Sequence, residues 1–253
     1  NNLQKAGTNL RQPYILSVMI GRVLLTCLLL LGAAALAQPA LEISQAEFDF
    51  GAVVSRTTVY HTSWFKSVGD DTLEIIDIKV GCDCAALPLP TRTLPPGDSM
   101  KVRFEWTTER SNGLDRRFPR IFTNASPDPV RMQFYANCVL QPDSVRPVTI
   151  NPYRFEFTKL GSISRDSTSF VMTNLSTKDF AVHLISPLSG RLEIVYPDSL
   201  AAGEKSTGHV RVKSEYADQE FEETVTFQFD HPNREPARFS IPVRQRFLSQ
   251  SSK

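Results

Sequence analysis

The chain has 253 residues, 41% of them hydrophobic, and its 28 Lys and Arg nearly balance 27 Asp and Glu. This length is sufficient for two domains of ordinary size, each with its own core. Basic residues are scattered, and the densest group, Arg116, Arg117 and Arg120, is interpreted as a solvated strand edge. The charge pattern therefore gives no reason to expect a nucleic acid or an acidic membrane surface as partner.

The first 37 residues contain no Asp or Glu and have the pattern of an export signal. Arg22 precedes an apolar run from Val23 to Leu36, and Ala35-Leu36-Ala37 is a small-x-small cleavage site. We expect residues 1–37 to be an upstream extension and a signal peptide that begins at Met19. Cleavage there would leave 216 of the 253 residues and remove Cys27.

A membrane anchor is the alternative interpretation of this run. At about 14 residues it is shorter than the roughly 20 that a spanning helix needs, and no basic cluster follows it. We therefore expect no transmembrane anchor in the mature chain, and a location in the periplasm, outside the cell or on its surface.

One module occurs twice along the chain. Glu47-Phe48-Asp49-Phe50-Gly51 returns as Tyr153-Arg154-Phe155-Glu156-Phe157, so that Phe48 corresponds to Phe155. The turn at 94–98 corresponds to 200–204. A polar linker at 141–144 separates the copies, and we predict one domain over 41–140 and a second, divergent one over 145–248, joined as a semi-rigid rod with a modest interface.

Alternating side chains indicate β-strands in both modules. Met100, Val102, Phe104 and Trp106 share one face of such a strand, and polar residues take the other face. Up to Ile75 the inward-facing apolar residues have odd numbers, whereas Ile76, Ile78 and Val80 have even numbers. One extra residue near Ile75-Ile76 would cause this change, which predicts a β-bulge. Strand-length runs separated by Gly, Pro, Asp and Asn turns predict an all-β fold of two tandem antiparallel sandwiches.

The first module resembles the DUF1573 family of secreted bacterial proteins. The resemblance is carried by Phe48-Asp49-Phe50-Gly51, the Val68-Gly69-Asp70 turn, Cys82-Asp83-Cys84 and Leu94-Pro95-Pro96-Gly97-Asp98. In the family the cysteine motif usually reads Cys-Gly-Cys-Thr, whereas here Asp83 replaces the glycine. The resemblance implies an immunoglobulin-like, extracytoplasmic and non-catalytic module related to the major sperm protein and ASPM–SPD-2–Hydin group.

The first module contains three cysteines, Cys82, Cys84 and Cys138, near the ends of strands. The alternation of each strand directs their side chains towards the core, and none has a counterpart in the second module. Disulfides are expected in exported proteins. Because residues i and i+2 of an extended strand lie nearly 7 Å apart, we expect Cys138 to pair with Cys82 or Cys84. The alternative is a Cu(I) or thiol-redox site formed by Cys82 and Cys84; no other metal or cofactor is expected.

Motifs of hydrolases, metalloproteases, phosphate-binding loops and dinucleotide folds do not occur in the sequence, so we do not expect an enzyme. The four histidines stand singly and are interpreted as sheet or surface residues. The sequence therefore favours a structural or binding module that contacts unknown proteins of the cell envelope. The alternative function is thiol-redox or copper handling by the Cys-x-Cys motif.

Five hydroxyl residues follow an aspartate and precede an apolar residue or Thr. This is similar to the O-glycosylation signal of exported proteins in the Bacteroidota, and the simpler interpretation is that Asp-Ser closes a turn before a strand. The candidate acceptors are Thr72, Ser99, Ser144, Ser167 and Ser199.

Overall fold

A computed structural model describes residues 37–109, 112–161, 163–186 and 189–248, and these residues form an all-β protein. The predicted signal peptide lies, apart from Ala37, outside the described residues. The strands of the first domain are β1 (Leu41–Ile43), β2 (Glu47–Val54), β3 (Thr58–Ser67), β4 (Leu73–Lys79), β5 (Ala85–Ala86), β6 (Thr93–Leu94), β7 (Ser99–Thr107), β8 (Gly113–Arg117), β9 (Arg120–Thr123), β10 (Ser126–Arg131) and β11 (Gln133–Val139).

A single-turn 3₁₀ helix, Pro142–Ser144, lies in the predicted linker, and another, Ser214–Tyr216, lies in the second domain. The strands of the second domain are β12 (Val148–Asn151), β13 (Phe155–Leu160), β14 (Ile163–Arg165), β15 (Ser167–Asn174), β16 (Phe180–Ser186), β17 (Leu192–Val195), β18 (Ser199–Leu200), β19 (Lys205–Val212), β20 (Phe221–His231) and β21 (Arg234–Phe247).

The alternating patterns of the sequence correspond to the buried and exposed faces of strands. In β7, Met100, Val102, Phe104 and Trp106 are buried, as predicted. The predicted bulge in β4 is confirmed, because the pairing of β4 with β9 shifts between Ile75 and Asp77. The prediction that Ile76 points inward is wrong: the bulge turns this side chain outward, where it is 58% exposed.

Each domain packs two layers of sheet around its own hydrophobic core. In the first domain the sheet β1-β3-β7-β5 faces β2, β11 and β8, and β10-β9-β4-β6 forms a further sheet. The rings of Phe104 on β7 and Phe134 on β11 stack across this core at 3.8 Å. In the second domain β12-β15-β19-β17 faces β20 and its neighbours, with Phe170 and Phe227 in contact.

The repeat in the sequence is a repeat of strand pairing. Phe48 and Phe50 on β2 and Phe155 and Phe157 on β13 are all buried. β2 pairs with β11, the last strand of its domain, and β13 pairs with β21 in the same way. Both pairs are parallel, so in each otherwise antiparallel sandwich the second strand pairs in parallel with the last.

The two domains share one continuous sheet, which makes their junction more extensive than the modest interface predicted. β2 pairs with β21 through Ala52 and Phe239 and through Val53 and Ser240. Ala52 belongs to the hydrophobic core of the second domain. The described residues from Pro39 onwards accordingly belong to one compact unit.

Hydroxyl side chains complete the junction. Thr224, Thr226 and Ser240 point away from the core of the second domain, yet all three are buried beneath the first domain. The backbone N–H of Tyr60 donates to Thr224 Oγ1 at 2.7 Å, and Ser240 Oγ donates to the carbonyl of Phe50 at 2.6 Å. The large majority of buried polar groups in proteins are hydrogen-bonded, and these contacts favour one way of docking the domains.

Candidate functional site

A cleft of about 480 Å³ lies where the outer face of β3 and β7 meets the second domain. The first domain contributes side chains that alternate outward from its strands, and the second contributes the start of β20 and the segment before β17. The side chains that shape the cleft include Tyr60, Trp64, Lys101, Arg103, Arg191 and Glu222.

Trp64 is the main apolar feature of the cleft. The chain contains two tryptophans: Trp106 is fully buried, whereas Trp64 is 46% exposed. Lys101 Nζ lies 5.1 Å from the centre of the Trp64 ring, a cation–π arrangement. Large exposed aromatic side chains beside cationic groups are the residue types that dominate binding interfaces.

A network of polar contacts holds the two walls of the cleft together. The Tyr60 hydroxyl donates to the Glu222 carboxylate, and the Arg103 guanidinium lies 4.7 Å over the Tyr60 ring. Arg244 Nε donates to Glu222 Oε1 at 2.6 Å. Burial, reinforced by Glu222, raises the pKa of Tyr60. Burial also acts to raise the pKa of Glu222, but the hydrogen bonds from Tyr60 and Arg244 outweigh it and lower that pKa.

The buried carboxylate of Glu223 lies near the partly exposed guanidinium of Arg191 at the second-domain end of the cleft. Glu223 is 6% exposed, and its Oε2 lies 3.6 Å from Arg191 Nη1. Burial raises the pKa of Glu223, against the lowering effects of Ser189 and Arg191. The Arg191 guanidinium also lies 5.5 Å over the Phe221 ring. Arg191 is thereby held at the edge of the cleft in a fixed position.

The cysteines are arranged differently from the prediction. The side chains of Cys82 and Cys84 lie next to each other, and Cys138 is a free, buried cysteine. The expected pairing of Cys138 with Cys82 or Cys84 therefore does not occur in the structure. The prediction assumed an extended strand, but the chain turns at 81–84 and brings the two Cα atoms to 5.2 Å.

Arg117 contacts the cysteine pair from the opposite sheet. Its Nε lies 3.3 Å from Cys84 Sγ, and its guanidinium stacks 4.7 Å over the Trp106 ring. Asp115 accepts two hydrogen bonds from the same guanidinium, at 2.5 and 3.1 Å. Arg116 and Arg120 are exposed as predicted for a solvated edge, but Arg117 is not, because its parity on β8 turns it inward.

Gly51, in the motif that carries the resemblance, lies where β2 bulges against β21. Its φ is +63°, and a Cβ at this position would lie 2.3 Å from the Arg238 carbonyl oxygen. Residues 41–138 match the family model DUF1573, a protein family of unknown function. This segment is therefore similar to DUF1573 domains. The second immunoglobulin-like domain lies outside the match.

Solved structures similar to the chain include a protein of unknown function from Porphyromonas gingivalis W83, 10% identical, with 81% of this chain and 99% of that chain covered and a TM-score of 0.33. The PapD-like domain 7 of human CEP192 is 10% identical, with coverages of 40% and 86% and a TM-score of 0.34. The Escherichia coli chaperone DraB is 10% identical, with coverages of 80% and 95% and a TM-score of 0.32. No curated relative matches the chain.

The hydroxyl residues proposed as glycan acceptors share one environment. All five are exposed, and in four the next residue is buried at or near the start of a strand; these are Thr72, Ser99, Ser144 and Ser199, with Ser167 as the fifth. This is the environment expected of a turn that leads into a strand, and also of an accessible acceptor.

The remaining titratable groups do not assemble into a metal site. In the part of the chain that the structure describes, no group of three His, Cys, Asp or Glu side chains could hold a metal ion. The same residues contain no helix long and apolar enough to cross a membrane. His61, on β3 of the first domain, is buried against Phe48, and neither ring nitrogen has a hydrogen-bond partner.

Proposed function

We propose that the protein is an exported, non-catalytic binding protein that holds a segment of another envelope protein in the cleft between its domains. The observation that carries this proposal is Trp64, a large aromatic side chain left 46% exposed inside a concave site. Arg103 and Arg191 also line the cleft and supply guanidinium groups for polar anchoring. Aromatic and Arg anchors in a concave setting are typical of the residues that contribute most to binding energy.

The rigid junction supports this function because it preforms the site. The β2–β21 pairing and the Tyr60–Glu222 contact fix the two walls relative to each other. A preorganised site loses less conformational entropy on binding than one that must first be assembled. The fold thus contributes to affinity as well as to stability.

Photocrosslinking tests this proposal. A photoreactive amino acid at Thr62, which is exposed and lines the cleft, is expected to give discrete adducts with envelope proteins in cells. Trp64→Ala in the same chain should reduce those adducts at least tenfold by removing the aromatic anchor, without unfolding the protein, because Trp64 lies on the outer face of β3. The control places the probe at Val195, which is 60% exposed but does not line the cleft.

Equal adducts from Thr62 and Val195, or adducts at Thr62 that persist in Trp64→Ala, would show that the cleft is not the binding surface. Circular dichroism of Trp64→Ala confirms that a loss of adducts does not come from unfolding.

Export and glycosylation are further parts of the proposal. The apolar run and cleavage site before Gln38 support export, and the exposed Asp-Ser/Thr turns support O-glycosylation. Intact mass of the protein recovered from the cell envelope is expected to show an N-terminus at Gln38 and added mass on Ser or Thr. A mass equal to the bare chain from Gln38 would remove the glycosylation proposal, and an uncleaved N-terminus would remove the signal peptide.

A further inference from the structure

The cysteine pair, Arg117 and Asp115 form a cluster at one edge of the first sandwich, separate from the interdomain cleft. Cys82 and Cys84 are partly exposed in the turn before β5, whereas Cys138 is fully buried. Arg117 reaches the pair from β8, the edge strand of the facing sheet, and its Nε hydrogen bond goes to Cys84. The two sulfur atoms therefore have different surroundings.

We propose that this cluster is a thiol–disulfide exchange site in which Cys84 is the nucleophile and Arg117 stabilises its thiolate. A guanidinium beside a cysteine favours the charged form of the sulfur. The Arg117 side chain is held for this purpose by the Trp106 ring on one side and by the two hydrogen bonds to Asp115 on the other. Asp115 reduces the net charge at the site but directs the Nε–H towards Cys84 Sγ.

The substrate class is a disulfide, either of a small molecule or of another protein. The Cys84 thiolate attacks one sulfur of the substrate disulfide, forms a mixed disulfide with it, and releases the other sulfur as a thiolate. Cys82 then attacks Cys84 Sγ, which forms the Cys82–Cys84 bond and releases the second substrate sulfur. Two electrons pass from the protein dithiol to the substrate, and the protons of the two cysteines go through solvent to the two released thiolates.

The test uses the reduced full-length protein with glutathione disulfide as the probe, at pH 7. Release of two glutathione thiols per protein is expected, together with closure of the Cys82–Cys84 bond in peptide maps. Cys82→Ser should accumulate glutathione on Cys84. Cys84→Ser should accumulate it on Cys82 at least tenfold more slowly, because that sulfur lacks the Arg117 contact.

Arg117 is tested as a positioning residue with a matched control on the same strand. Arg117→Gln should slow modification of Cys84 about tenfold, Arg117→Lys should retain most of the rate, and Arg116→Gln should leave it unchanged. The pH at which Cys84 becomes half-reactive towards iodoacetamide should rise in Arg117→Gln, a change that a purely structural role of Arg117 would not produce.

Equal rates in Cys82→Ser and Cys84→Ser would overturn the proposal, even if the Arg117 variants fail to fold. An unchanged pH profile of Cys84 in folded Arg117→Gln would overturn the role of Arg117. Neither result bears on the cleft, because the cluster shares no residue with its lining.

Discussion

His61 is a titratable group held without hydrogen bonds among phenylalanine rings. Its ring stacks on Phe48 at 4.1 Å and contacts Phe134 at 5.8 Å. Burial lowers the pKa of His61 to about 4. The imidazole is therefore neutral in the folded protein at pH 7, and protonating it in place would leave a buried charge without a partner.

The pH dependence of stability follows from this shift. Because the folded-state pKa of His61 lies below the unfolded value of 6.5, the unfolded chain binds more protons between these values, and stability falls as the pH falls through that window. Relative to His61→Phe, the wild-type protein should lose about 2 kcal/mol of unfolding free energy between pH 7.5 and 5. Urea denaturation of both proteins at several pH values measures this difference. Parallel pH curves for the two proteins would show that His61 does not titrate in this way.

Single residues also limit what the sequence could predict. The inward parity of Cys138 is confirmed by its complete burial, and burial raises the pKa of its thiol to about 11, with Asp115 adding to the effect and Arg117 opposing it. The proximity of Cys82 and Cys84 could not be predicted, because the alternating pattern implies extended chain at 82–84 whereas the chain turns there. Arg117 was assigned to a solvated edge because the sequence does not show which residue of an adjacent Arg pair faces the sandwich.

At the scale of elements, local patterns predicted strands and the bulge in β4, but not the pairing between domains. Alternation in β7 and β20 depends only on which face of each strand meets a core, so it is readable from sequence. The outward hydroxyls Thr224 and Thr226 are compatible with either a solvated face or a polar interface. Only the structure shows that both are buried beneath the first domain, and that Thr224 accepts a hydrogen bond from the Tyr60 N–H of that domain while Thr226 bonds to Ser240.

The bulge in β2 lies in close contact with β21 of the second domain, and this contact accounts for the glycine of the Phe-Asp-Phe-Gly motif. Gly51→Ala should destabilise the protein by about 2–4 kcal/mol, because a Cβ adds backbone strain at positive φ and overlaps the Arg238 carbonyl. Thermal or urea denaturation measures the loss.

Gly97→Ala is the matched control for this variant. Gly97 also has a positive φ, +82°, but a Cβ there would meet no atom within 4 Å. It should cost only the backbone strain, about 1–2 kcal/mol. If the two variants lose equal stability, the close approach of β2 and β21 contributes nothing beyond backbone strain.

At the scale of the whole molecule, the repeat predicted two sandwiches with separate cores, and the structure joins them through one sheet. The shared sheet, the hydroxyl contacts and the Tyr60–Glu222 contact all cross the same junction. Separate cores alone would allow the domains to unfold independently, whereas these contacts couple them. The cleft exists only while both domains are folded and docked.

Differential scanning calorimetry of the wild-type protein tests this coupling most directly. If the junction couples the two domains, we expect one unfolding transition whose calorimetric and van't Hoff enthalpies agree, as for a single cooperative unit. Two resolved transitions, or a van't Hoff enthalpy well below the calorimetric one, would show that the domains unfold separately. The junction would then be too weak to preform the cleft on which the proposed binding function depends.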